Sequence, residues 1–378
     1  MLLAGGRGNQ GVYELRIYQR EMLDPSGYIC LMDSRDIAQL RLHNQRLAGT
    51  EFTTPQQVVK WMGCIQAQDY GMAKWAVGCR LQHSTAAAIE QNFNEGKILR
   101  THVLRPTWHF ICPDDIRWML KLSAPRIRAF TRPYHRQLDI DAALLRKSKK
   151  VLVKALDQHK KLTRPQLTEI LKKEKIDTSD TRVGHLLMDA ELDALICSAG
   201  RIGRQFAYGL LDEQAPKSFQ YNDEEAIARL VEIYFPSRGP ATVQDFAWWA
   251  GLTLTDARKG LEAYKHNLHS TSLNELEYWF ATPPAADIVT PATYLLPAFD
   301  EFTVAYKYRD DVLDPQFGPS SFYGLKPIIV HNGRVVGTWM RTEKKGAVKM
   351  ETAAFRPGKG APARAVSRVT QKYIDFIR

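Results

Sequence analysis

The sequence predicts an α+β protein, mostly helical, made of tandem winged-helix domains followed by a small β-barrel. Two observations carry that prediction. The order helix, helix, helix, then two short strands recurs three times between Ser34 and Ala281, which is the order of a helix-turn-helix with a β-hairpin wing. From about Pro291 the texture changes to short β-rich runs, of the kind that curl into small barrels. At 378 residues the chain has length for several such units.

Residues 1–33 read as an N-terminal extension lacking order. Arg7, Glu14, Arg16, Arg20 and Glu21 stand where a signal peptide needs an apolar core. The first winged-helix domain is placed at 34–145. Ser34 caps a helix to about Leu47, and Thr54-Pro55-Gln56-Gln57 opens the next, with a hydroxyl to cap it and a proline suited to the first turn. Asp69 caps a third helix through Ala73, Trp75, Ala76 and Cys79, and Thr85 to Phe93 forms another. Leu99 to Leu104 and Thr107 to Ile111 are strands around the basic turn Arg105-Pro106, and Pro113-Asp114-Asp115 starts a further helix.

The second domain, 146–215, has the clearest pattern. Val151 to His159 is apolar at helical spacing, Thr163 caps a helix through Leu167, Ile170 and Leu171, and Ser179 or Asp180 caps one carrying Val183, Leu186, Leu187 and Leu192 inward. Strands at Leu195 to Ser198 and Gln205 to Tyr208 flank a Gly-rich basic tip containing Arg201 and Arg204. The third domain, 216–285, repeats the order. It has helices over Glu224 to Phe235, over Val243 to Trp249 behind Thr242, and from Thr253 or Thr255 to Tyr264, then strands at Leu268 to Ser272 and Glu277 to Ala281. The barrel, 286–378, has strands at Tyr294 to Leu296, Phe302 to Val304, Pro327 to Val330 and Val335 to Trp339. Asn332-Gly333 marks a tight hairpin, and a basic helix from about Ala361 ends the chain.

Lys+Arg of 52 against Asp+Glu of 41 gives a net charge of +11. That favours a polyanionic partner, with nucleic acid the leading candidate. No apolar run approaches the roughly 18 residues of a membrane span, so no membrane association is expected. The cysteines, 5 in number, contain no CxxC pair. That fits reduced thiols in a cytoplasm. His266 and His269 lie at helical spacing, but no cysteine or second pair accompanies them, and neither a metal nor a cofactor is expected.

Cys64-Ile65-Gln66-Ala67-Gln68-Asp69 holds the most specific chemistry. Glutamine does not titrate, but its amide oxygen accepts a hydrogen bond from water. Two such amides can fix a water beside a developing cation only when both share a face, which positions i and i+2 do on extended backbone and not on a helix. The alternative for Gln66 and Gln68 is a solvated or capping pair, and for Asp69 a plain helix cap.

Taken in order, Ile-Gln-Ala-Gln-Asp, Val-Leu-Arg-Pro-Thr-Trp-His, Leu-Leu-Pro-Ala-Phe-Asp-Glu-Phe and Asn-Gly-Arg-Val-Val-Gly-Thr-Trp resemble the AlkZ-type DNA glycosylases, a branch of the winged-helix DNA-binding-domain family. The resemblance covers about Ser34 to the C-terminus. It implies a curved, DNA-sized channel, a monomer, and hydrolysis of the N-glycosidic bond of alkylated purines, crosslinked ones included. The family's Gln-x-Gln motif falls on Gln66 and Gln68.

An N7- or N3-alkylated purine is cationic and leaves without a general acid. The enzyme's task is then to hold a water below C1′ and to stabilise an oxocarbenium-like sugar. Candidate contacts to double-stranded DNA are Arg105, Thr107 and His109 at the first wing, Arg201 and Arg204 at the second, and Lys307, Arg309 and Arg334 in the C-terminal part, with Asp69 and Asp300 supporting. Each has an ordinary alternative: His109 as a core histidine, the arginines as solvated side chains, Asp300 as a turn former. The rival function is a non-catalytic winged-helix DNA-binding protein such as a transcriptional regulator. Three fused units suit a symmetric dimeric reader poorly.

Overall fold

The computed structural model describes residues 32–281, 292–314, 325–344, 347–356 and 360–378. Most of the N-terminal extension and the 285/286 domain step lie outside them. The first segment runs α1 (Ser34–Asn44), α2 (Pro55–Met62), β1 (Cys64–Gln66), α3 (Tyr70–Gly78), α4 (Ala86–Asn94), β2 (Leu99–His102), β3 (Trp108–Ile111) and α5 (Ile116–Gln137). Local chemistry sets these starts. Thr54, Asp69 and Thr85 each accept a backbone N–H of the first turn they cap. α1 is capped by Asp33 rather than Ser34, because its carboxylate takes the N–H groups of Arg35 and Asp36.

The second segment is α6 (Ala142–His159), β4 (Leu162–Thr163), α7 (Arg164–Lys173), α8 (Arg182–Leu192), β5 (Ile196–Ile202), β6 (Gln205–Leu210) and the short α9 (Leu211–Gln214). The step placed at 145/146 falls inside α6, whose cap is Asp141. Thr163 and Gln166 form the capping box of α7, while α8 starts after Thr181 without a side-chain cap. The third segment is α10 (Asp223–Arg238), α11 (Val243–Ala250), α12 (Leu254–Tyr264), β7 (His269–Leu273) and β8 (Leu276–Phe280). Leu162 and Thr163 pair with β6, and Ala241 pairs with Trp279 in β8. Both segments therefore share the order helix, short strand, helix, helix, hairpin.

The C-terminal part is β9 (Thr293–Leu296), α13 (Glu301–Val304), β10 (Ile328–His331), β11 (Arg334–Lys344), β12 (Ala347–Ala354) and α14 (Ala363–Ile377). Its described strands form an open four-stranded sheet in the order β12-β11-β10-β9, not a closed barrel. Phe302 to Val304, expected as a strand, is helical because Asp300 caps that turn through the N–H of Phe302. The hairpin at Asn332-Gly333 forms as expected, with φ of 50° and 80°, the pair of positive values a type I′ turn needs.

Two features join the segments. Arg100 of β2 pairs with Ser198 of β5, so both hairpins merge into one six-stranded sheet, β1-β3-β2-β5-β6-β4. One apolar core spans that sheet, α5 and the α10–α12 helices, through Cys64, Ile111, Trp118, Tyr234 and Trp249. A second packs α2–α4 against the C-terminal sheet and α14, with Trp75 against Tyr373 and Phe376 at 5.1 and 4.9 Å between ring centroids.

Candidate active site

Gln66 lies in extended backbone at the end of β1, and Gln68 in a bend two residues on. β1 pairs antiparallel with β3, placing Gln66 opposite His109, and β3 pairs with β2, placing Thr101 on the other side of His109. Pairing continues one residue past β1, with the Ala67 N–H donating to the Trp108 carbonyl at 2.7 Å. Side-chain alternation therefore sets Gln66, Thr101 and His109 on one face of the sheet, while Gln68 lies in a bend just past the strand. Gln66 is buried at 8 % exposure, while Gln68 is exposed, its Oε1 accepting the Trp108 N–H at 3.4 Å.

β1 is held from behind by a buried ion pair. The Gln66 N–H donates to Glu301 Oε1 at 3.1 Å. Glu301 Oε2 accepts from Arg238 Nε and Nη2 and from Trp249 Nε1, and Arg238 Nη2 also donates to the Cys64 carbonyl at 3.0 Å. Both charges are fully buried, and each is tolerated because the other and these hydrogen bonds compensate it. Glu301 stands in the quoted Asp-Glu-Phe run, but no local signal distinguishes it from Asp300. The same is true of Arg238 and Trp249.

Buried polar atoms without a partner mark the front of this site. They include Gln66 Oε1, Arg105 Nε and Nη2, Thr107 Oγ1 and His109 Nε2. Such atoms are rare in folded interiors, and each calls for an explanation. His109 is fully buried and not a phosphate ligand: burial first, then the Arg105 cation, push its imidazole down to about 3. Its Nδ1 lies 2.9 Å from the Thr107 carbonyl. Arg105 is half-buried; its Nη1 donates to the Val304 carbonyl at 3.3 Å, and its guanidinium lies 5.9 Å from the centre of the exposed Trp248 ring. Burial pushes that guanidinium below its ordinary value. On the opposite face, Arg100 lies 4.0 Å over Trp108. His102 sits 4.0 Å from the Trp108 ring on the same face, its Nδ1 2.6 Å from the buried Glu191 carboxylate.

Several expected contacts are not free to meet DNA. Asp300 is fully buried in a two-bond pair with Arg80, at 2.8 and 2.9 Å, and caps α13. Arg201 is engaged by Glu90 at 3.0 Å and by the Arg204 carbonyl, because the β5–β6 turn folds back onto α4. Arg309 is buried and donates to the Thr303 carbonyl at 2.7 Å; it and Lys307 follow α13 in irregular backbone rather than alternating along a strand. Arg334 donates to the carbonyls of Asp310 and Asp311, and a Cβ on Gly333 would come within 2.8 Å of Ala38, so this hairpin lies against α1. Arg204 and Lys307 remain exposed. Asp69 caps α3 through the Met72 N–H at 3.1 Å.

A family model described as DNA glycosylase AlkZ-like matches residues 59–376. An interstrand DNA cross-link repair glycosylase of Streptomyces sahachiroi is 21% identical over 323 residues, covering 81% of this chain and 87% of that protein. The solved structure of Streptomyces sahachiroi DNA glycosylase AlkZ superposes with a TM-score of 0.77 at 20% identity, over 92% of this chain and 97% of that one. It shows a shared fold.

Proposed function

This chain belongs to the AlkZ-like DNA glycosylase family, and from that premise we propose that it hydrolyses the N-glycosidic bond of alkylated purine nucleotides in double-stranded DNA. The observation carrying this reading is Gln66 on the extended strand β1, with its amide oxygen unpartnered in a buried position. That oxygen orients a water whose attack needs no strong base, because the departing base already carries positive charge. The named relative acts on interstrand crosslinks, and crosslinked purines fall within the same chemistry.

The three helix–hairpin segments are winged-helix units in this reading. Together with the C-terminal sheet they border a DNA-sized channel entered by a monomer's substrate. Arg105, Thr107 and Trp248 face the nucleotide, and Arg204 and Lys307 meet phosphates. The test is incubation with methylated duplex DNA and chromatography of the released bases. Release of 7-methylguanine by the parent protein, lost in Gln66→Leu with duplex affinity kept, is the expected result. Tight binding to one undamaged sequence with no base release would instead favour a DNA-binding regulator.

A further inference from the structure

Gln66 and Gln68 differ in kind: one is buried with a bare acceptor, the other exposed. The side chain directly across the strand pair from Gln66 is His109, and cross-strand neighbours of this type have Cβ atoms about 5 Å apart. His109 Nδ1 faces a carbonyl oxygen, which can only accept. The ring proton is therefore on Nδ1, and Nε2 carries a lone pair. Like Gln66 Oε1, Nε2 is buried and has no partner. Two adjacent bare acceptors suit one species with two hydrogens to donate.

We propose that His109 Nε2 and Gln66 Oε1 together hold the attacking water, each accepting one of its hydrogens, and that Gln68 stands outside this contact. The inference rests on the glycosylase reading above. Both atoms are closed to solvent in the free chain, so the water enters when DNA binding opens the pair slightly. Catalytic contacts commonly take their working geometry only in the complex. The water oxygen then bonds to C1′ while the C1′–N bond breaks, and that bond's electron pair neutralises the cationic purine. The added water, now an oxonium on C1′, is strongly acidic and loses one hydrogen as a proton to Nε2, which passes it to solvent. A weakly basic ring suffices for this, since the proton leaves only after the new C–O bond has formed. His109 is thus a catalytic residue rather than a phosphate contact.

The test compares parent, His109→Leu and His109→Gln in single-turnover release of 7-methylguanine from methylated duplex, with duplex affinity and thermal midpoint measured on each. Leucine keeps the bulk and removes the acceptor; a loss of about a hundredfold is expected, with affinity within about threefold. Glutamine restores an acceptor near the Nε2 position and is expected to stay within about tenfold of the parent. Gln66→Leu/His109→Leu should be no worse than the poorer single variant, because one water is lost only once. Release by folded His109→Leu within about threefold of the parent overturns the inference and leaves the glycosylase reading intact. A parent that binds duplex but releases no base overturns that reading, and this inference with it. Should the leucine variant not fold, the ring nitrogens of the parent decide by 15N NMR. Nδ1 protonated and Nε2 bare from about pH 5 to about pH 8 supports the inference, and a ring titrating near the free value of about 6.5 overturns it.

Discussion

At the residue scale, position 109 shows how environment sets chemistry. A surface histidine at a wing would be a phosphate contact. Buried opposite Gln66, with Arg105 beside it, it is held neutral with its imidazole near 3. The sign of the pH effect follows. Between about pH 3 and about 6.5 the unfolded chain binds a proton at this ring that the folded chain refuses, so stability rises with pH across that window and is lost on acidification. The slope is about 1.4 kcal/mol per pH unit at most. His135 and His185, also lowered by burial, add in the same direction. Urea unfolding at stepped pH should give a shallower acid limb for His109→Gln than for the parent. Parallel limbs would show that the ring is not held neutral by the fold.

At the element scale, β1 is short, and two devices keep it in place. The first is the Arg238–Glu301 pair behind it. Glu301→Gln leaves a buried guanidinium uncompensated and should cost about 3–5 kcal/mol in urea unfolding, with base release falling as β1 loosens. The second is the contact of α11 with the first wing. Gly251 ends α11 at φ +65°, and a Cβ there would lie 2.1 Å from the Leu104 carbonyl oxygen. Leu104 is itself in the left-handed region at φ 61°, so this backbone has little room to yield. Gly251→Ala should lower the thermal midpoint by several degrees, about 1–3 kcal/mol, and slow base release by displacing Arg105 and Thr107. A variant with unchanged midpoint and rate would show that this contact does not set the wing.

At the scale of the whole molecule, net charge alone does not say which cations are free to meet a polyanion. Arg201 and Arg204 are both basic residues of one hairpin, yet Arg201 is tied to Glu90 and Arg204 is exposed. Duplex affinity should fall linearly on a log–log plot against salt. Arg204→Ala should reduce the slope by about one, and Arg201→Ala should leave the slope unchanged while lowering stability. Equal slopes for the two variants would contradict the assignment.

The features that could be read from the chain before folding are local. The capping boxes at Thr54 and Thr163, the cap at Asp69, the Asn332-Gly333 turn and the helical order of three segments all depend on groups within a few residues of one another, so composition and spacing suffice. The geometric condition on i and i+2 could also be stated from sequence; the fold sets Gln66 in a strand and Gln68 in a bend beyond it. The rest came from packing of distant segments. That packing joined β2 to β5, set Glu301 rather than Asp300 behind Gln66 across 235 residues of chain, and withdrew Asp300, Arg201, Arg309 and Arg334 into pairs and packing. Each of these turns on which distant group satisfies a buried charge or hydrogen bond, and that choice is made by packing between segments, where the residue type alone leaves several partners open.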